Sequence, residues 1–156
     1  MIASGTPITW PSTECPREWY RRGIRHLRRT IVEGTRDVLA NRIGRDVASV
    51  AGRIRPANRI TVIDPFAGSC NTLFWILRHL PDAEGIAFES DALVFELTHR
   101  NFAALSQSVE VVQGNYAKLL DEVHLPLNRN IVAFVAQPWT KYGAWTCATQ
   151  RLPFPR

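Results

Sequence analysis

The chain has 156 residues, 46% of them hydrophobic and 21% charged, with a formal net charge of +5; that is enough for one domain with a modest core. No apolar run is long enough to span a bilayer, and no charged-then-apolar leader opens the sequence, so no membrane partner is expected. Cys15, Cys70 and Cys147 are odd in number and scattered, which argues against a disulfide scaffold or a zinc site and predicts a reducing, cytoplasmic setting with no metal.

The charge is uneven. Residues 1–60 hold twelve Arg, no Lys and five acids, a net +7, whereas residues 61–156 sum to −2. Such asymmetry suits a phosphate-bearing partner, RNA or DNA. It also suits the solvated faces of amphipathic helices.

Residues 1–15 contain Gly5, Pro7 and Pro11 and read as an irregular arm, with Trp10 either pinning it or forming part of a lid. Residues 16–31 read as a helix: Tyr20, Ile24, Leu27 and Ile31 recur at helical spacing, and Arg21, Arg25, Arg28 and Arg29 share much of the other face. Thr35 and Asp37 start a second helix. Its stripe of Val38, Leu39, Arg42, Ile43, Val47, Val50 and Ile54 runs to the stop at Arg55-Pro56. Residues 1–56 thus form an Arg-rich arm with helices, expected to cover the remaining chain, residues 57–156, as part of one compact unit.

Residues 59–64 predict a first strand, and residues 69–80 a helix with Leu73, Ile76, Leu77 and Leu80 on one stripe, stopped by Pro81. Residues 85–89 predict a second strand ending in an acid. Ser90 can cap the next helix, which runs to about Leu105 with Val94, Leu97, Phe102 and Leu105 inward. Residues 109–113 form a third strand and residues 116–123 a short helix. Residues 130–136 form a fourth strand, so apolar that burial on both faces is expected. Strands alternating with helices predict an α/β fold: a Rossmann-like parallel sheet with helices on both faces.

The most informative stretch is residues 62–72, Val-Ile-Asp-Pro-Phe-Ala-Gly-Ser-Cys-Asn-Thr. A β-branched run ends in an acid, a tight turn follows, and an apolar helix begins. That unit sets one carboxylate and several backbone N–H groups at the carboxyl end of a parallel strand, where open α/β sheets bind nucleotide-like ligands. Here the chain resembles the class I S-adenosylmethionine-dependent methyltransferases, in the Asp-Pro-Phe-x-Gly-Ser form known from enzymes that methylate nucleic-acid bases. The resemblance covers about residues 57–145. The family's usual later strands and helices find no counterpart after Ala136, so the carboxyl-terminal half of the fold is expected to be incomplete. The fourth strand's open edge would then favour a homodimer.

The resemblance implies S-adenosylmethionine as cofactor and assigns residues to it. Asp64 would reach the cofactor's ammonium. Phe66, Ala67, Gly68, Asn71 and Thr72 would pack on its methionyl end and ribose. Glu89 would accept from the ribose hydroxyls, with Phe88 or Ser90 beside the adenosine. Asn115 stands where the family often has an acid that accepts from the adenine amino group, and Tyr116 would stack on adenine. Cys70 replaces the usual second glycine and would set a side chain beside the cofactor. Read without the family, an Asp-Pro-x-x-Gly turn, acids in a helix's first turn and a Gly-Asn turn are ordinary structural devices.

Ala136-Gln137-Pro138-Trp139 resembles the Asp/Asn-Pro-Pro-Tyr/Trp motif of amino-methylating enzymes, most closely the Pro-Pro-Trp form of guanine N2-type and trimethylguanosine synthase-like enzymes. It implies that Gln137, Pro138 and Trp139 hold a target amino group, Gln137 as acceptor and Trp139 as a stacking platform. A Pro-Trp corner closing the core is the structural alternative. The expected function is methylation of a nucleobase amino group. The alternatives are a small-molecule methyltransferase on the same scaffold and a non-catalytic module that binds cofactor or RNA.

Overall fold

In a computed structural model of the chain, residues 23–27, 30, 33–54, 59–105, 107–120, 122 and 129–137 are described. Among them are the helices α1 (Asp37–Ile54), α2 (Asn71–His79), α3 (Ala92–Leu105) and α4 (Tyr116–Leu119), and the strands β1 (Ile60–Asp64), β2 (Glu84–Glu89), β3 (Val109–Gln113) and β4 (Asn130–Ala133). The strands form one sheet in the order β3-β2-β1-β4. Every pairing is parallel, with Val62 opposite Gly85 on one side and Val132 on the other. The chain steps outward from β1 through β2 to β3, then crosses back to lay β4 on the far side of β1. That reversal opens a crevice between the carboxyl ends of β1 and β4.

Alternation along the strands builds two apolar layers. Val62, Ala87 and Val111 join Leu73, Phe74, Ile76 and Leu77 of α2 and Phe102 of α3 in the main core. On the opposite face Ile63, Ile86 and Phe88 pack under Tyr116 and Leu119 of α4 and the adjacent Leu120. No described helix is long and apolar enough to cross a membrane.

Helix α1 has the predicted span and part of the predicted face: Ile43 and Val47 of its stripe pack against the main core. Val38, Leu39 and Val50, read from their spacing as inward, are exposed, and the buried positions are Asp37, Ala40, Gly44 and Ala51. The reason is the closeness of α2. A Cβ on Gly44 would lie 2.6 Å from the Trp75 carbonyl oxygen, so only small residues fit the contact. Three polar pairs fix it: Asp37 Oδ1 accepts from Asn71 Nδ2 and from Trp75 Nε1, each at 2.9 Å, and His79 Nε2 lies 2.6 Å from Asn41 Oδ1.

Three further expectations are corrected. Residues 24–27 are not helical. Gly23 has φ +84, and the Asn101 side chain replaces helical bonding by accepting from Arg25 N at 2.8 Å and donating to Arg25 O at 2.7 Å. The cap of α3 is Asp91, not Ser90: its Oδ1 accepts from Leu93 N and Val94 N at 3.0 Å each. Strand β4 is not buried on both faces. It ends at Ala133, and Ile131 and Ala133 are exposed, because among the described residues nothing packs on their side. The Arg-rich stretch outside residues 23–27 and the residues after Gln137 lie outside the described structure; of the segment expected to cover the remaining chain, α1 is described and packs on α2.

Candidate functional site

Because all four strands are parallel, their carboxyl ends bring Asp64, Glu89, Gln113–Asn115 and the residues after β4 to one end of the sheet. The loop from β1 to α2 is its centre. Asp64 is only 4% exposed, and its Oδ1 accepts from Phe66 N at 3.1 Å. Burial, with the Glu89 charge adding to it, pushes the Asp64 carboxyl up from 3.8 to about 7, against the opposing pull of the Phe66 N–H.

The loop is fastened to β2 and α3. Ala67 N donates to Phe88 O at 3.0 Å. Gly68 N donates to Glu89 Oε2 at 2.9 Å, and Glu89 Oε1 accepts from Asp91 N at 2.8 Å. Gly68 O accepts from the Thr98 hydroxyl at 2.8 Å. Glu89 is thus more than a strand-end acid. It joins the glycine loop to the start of α3, and each oxygen keeps a lone pair for a ligand.

Gly68 has φ +51, a conformation that favours glycine. A Cβ there would meet nothing nearer than Phe66 O at 4.0 Å. Packing therefore does not demand the glycine. What it leaves is open space above a bare backbone, the cradle a ligand needs.

Cys70 also has positive φ, 56°, which explains why glycine suits the position. Its side chain does not project beside a ligand as the sequence suggested. It is 1% exposed and sits in the core under the loop. There it lines a small cavity with Ile24, His26, Asn101 and Phe102. Burial pushes the thiol well above its ordinary range.

The other assigned residues divide. Phe66 and Tyr116 meet edge to face at 5.0 Å between centroids, forming an aromatic corner near the loop. Ala67 is buried beneath it. Asn71 and Thr72 are buried in the first turn of α2, and the Asn71 amide is spent on Thr35 O at 2.8 Å and on Asp37. Ser90 is exposed. Asn115 uses its Oδ1 to cap α4, accepting from Ala117 N at 2.9 Å, which leaves its amide N–H groups rather than the oxygen for other use. Gln137 is exposed in the segment after β4. Pro138 and Trp139 lie outside the described residues. Among the described residues no cluster of His, Cys, Asp or Glu can hold a metal ion.

Sequence reasoning missed Thr98, Asn101 and Gly44. A signal for the first two existed: both are polar residues on the inward stripe of α3, where Val94 and Phe102 are apolar.

No family model matches the chain, and no curated protein matches it. Solved structures do. The methyltransferase subunit of a type I restriction-modification system from Streptococcus thermophilus matches with a TM-score of 0.53 at 13% identity, over 68% of this chain and 23% of that one. The SAH-bound methyltransferase PaMTH1 from Podospora anserina matches with a TM-score of 0.53 at 15% identity, over 76% of this chain and 47% of that one. The described core has the Rossmann-like methyltransferase fold. This chain spans less than half the length of either matched structure. Within the methyltransferase fold, the sheet's strand order reverses at β1, and the Asp64–Gly68–Glu89 cluster stands at the carboxyl ends of β1 and β2.

Proposed function

We propose that this chain is an S-adenosylmethionine-dependent methyltransferase domain acting on an amino group of a nucleobase in RNA or DNA. The observation that carries the cofactor reading is the cluster at the end of β1. A buried carboxyl, Asp64, stands beside an open glycine backbone, and Glu89 on the next strand keeps acceptor capacity. An ammonium group supplies the charge Asp64 lacks, a ribose diol supplies donors for Glu89, and the Phe66–Tyr116 corner offers apolar surface to adenine. When bound, S-adenosylmethionine supplies a methyl group on an electrophilic sulfonium. The protein's part is then alignment and exclusion of water, which needs no acid–base pair.

The nucleobase reading rests on the Gln137-Pro138-Trp139 sequence and on charge. Gln137 would accept from the target amino group, and Trp139 would stack on the base at roughly 1–3 kcal/mol. Arg36, Arg42, Arg45 and Arg53, on and just before α1, are all exposed, which adds to the Arg-rich stretch before them as a surface for phosphates.

Calorimetry with S-adenosylmethionine and S-adenosylhomocysteine tests the cofactor. Binding is expected, and Glu89→Ala should weaken it by at least tenfold while Asp91→Ala costs less. Hydrogen bonds to a charged acceptor are worth about 1.5–3 kcal/mol each; Glu89 already touches the glycine loop, whereas Asp91 Oδ1 caps α3. Failure of the unaltered chain to bind either compound removes the reading. Anisotropy titrations with RNA and DNA at two salt concentrations test the partner; absence of binding at micromolar protein in low salt moves the substrate to a small molecule on the same fold.

A further inference from the structure

Thr98 sits in the middle of α3, is 2% exposed and is β-branched. A threonine in a helix interior is unfavourable relative to alanine, and its hydroxyl ordinarily bonds back to a carbonyl of its own preceding turn. This one does neither the cheap nor the local thing. It reaches out of the helix to Gly68 O, thirty residues earlier, at 2.8 Å. The N–H of the same glycine is held by Glu89 Oε2 at 2.9 Å. Gly68 is therefore gripped at both of its polar atoms by side chains from a different β-α unit, and its neighbour Ala67 is tied to Phe88 O. Glycine is the residue with the widest choice of backbone conformations, and here one of them, at φ +51, is selected from outside.

We infer that Thr98 is a positioning residue for the ligand that the loop receives: with Glu89 it clamps Gly68 so that the cradle exists before the ligand arrives. The inference rests on the cofactor reading above and deepens it. The ordering cost of the loop is met during folding, and binding does not have to meet it again. Thr98 touches the loop from below and acts through Gly68. Glu89 serves both as the second jaw and as a ligand acceptor.

The test compares Thr98→Val, which keeps the shape and loses the donor, with Thr98→Ser, which keeps the donor and loses a methyl group. S-adenosylhomocysteine is titrated into each full-length variant by calorimetry, and amide exchange is followed in the ligand-free proteins. Thr98→Val should weaken binding about tenfold, the effect of one hydrogen bond, and should accelerate exchange at Gly68 while Val62 in β1, which is paired on both sides, stays protected. Thr98→Ser should bind within about twofold of the unaltered chain. Unchanged affinity in Thr98→Val overturns the inference, as does equal weakening in both variants, which would assign the effect to packing. If the unaltered chain does not bind S-adenosylhomocysteine, the cofactor reading fails and this inference falls with it. If the chain binds but Gly68 exchange ignores Thr98→Val, the clamp alone fails.

Discussion

Two buried titratable residues pull the stability of this protein in opposite directions as pH changes. Burial raises Asp64 from 3.8 to about 7 and lowers His26 from 6.5 to about 4. Below pH 4 both the folded and unfolded states hold the Asp64 proton. Between about pH 4 and 7 only the folded state does, so the stability Asp64 contributes is present in full at low pH and is lost as pH rises through 7. For His26 the unfolded state takes the proton between about pH 6.5 and 4 and the folded state does not. Its contribution is present above 6.5 and is lost as pH falls through 4. Each slope is at most about 1.4 kcal/mol per pH unit, and they oppose one another over most of the window. Urea denaturation between pH 4 and 7 should therefore show a shallow dependence in the unaltered chain. Asp64→Asn should uncover a rise with pH, and His26→Gln a fall. Profiles that stay parallel in all three proteins would show that neither burial controls titration. The same balance bears on function: an amine ligand arriving at Asp64 meets a carboxyl that is part protonated near neutrality.

Among the elements, the contact between α1 and α2 is the most exacting. Gly44→Ala should raise the intrinsic preference of α1 for helix by about 1 kcal/mol, yet the added carbon would lie 2.6 Å from a backbone oxygen. Overpacking of that kind costs typically about 1–3 kcal/mol, and a backbone atom cannot swing aside. A lower urea midpoint is expected for Gly44→Ala; a higher one would show that the helices separate freely. This contact also marks where the sequence stops being readable. Strand β3 was legible to the residue, and α1 nearly so, because alternation and helical spacing report on burial by apolar side chains. The inward face of α1 carries Ala40, Gly44 and Ala51 beside Ile43 and Val47; hydrophobic spacing found the last two, missed the three small residues and added Val38, Leu39 and Val50, which are exposed. At the site, the placement of Asp64 and Glu89 at strand ends was legible because a strand–turn–helix pattern sets them at fixed offsets. The Thr98–Gly68 bond, the Asn101 clasp on Arg25 and the Asp91 cap depend on which side chain reaches a given backbone atom, which spacing does not specify. Residues 24–27 looked helical for a related reason: Ile24 and Leu27 are indeed both buried, but in a segment without regular secondary structure.

At the scale of the whole sheet, β4 is the exposed margin among the described residues. Ile131 is 47% exposed and Val135, just past the strand, 61%, and among the described residues β4 pairs only with β1. An uncovered apolar edge strand invites pairing with another chain. Sedimentation at micromolar concentration is expected to show self-association that Ile131→Lys and Val135→Lys abolish; a folded monomer in the unaltered chain would count against it. The strand order has a further consequence, in time rather than space. β1 lies at the centre of the sheet, but its second neighbour begins at Asn130. During synthesis at roughly 5–20 residues per second, the ribosome needs roughly 3–13 s to travel from the end of β1 to that point. Through that interval β1, β2 and β3 can already be joined while the free side of β1 offers a bare row of amides and carbonyls. The nascent chain is most open to mispairing just before β4 emerges.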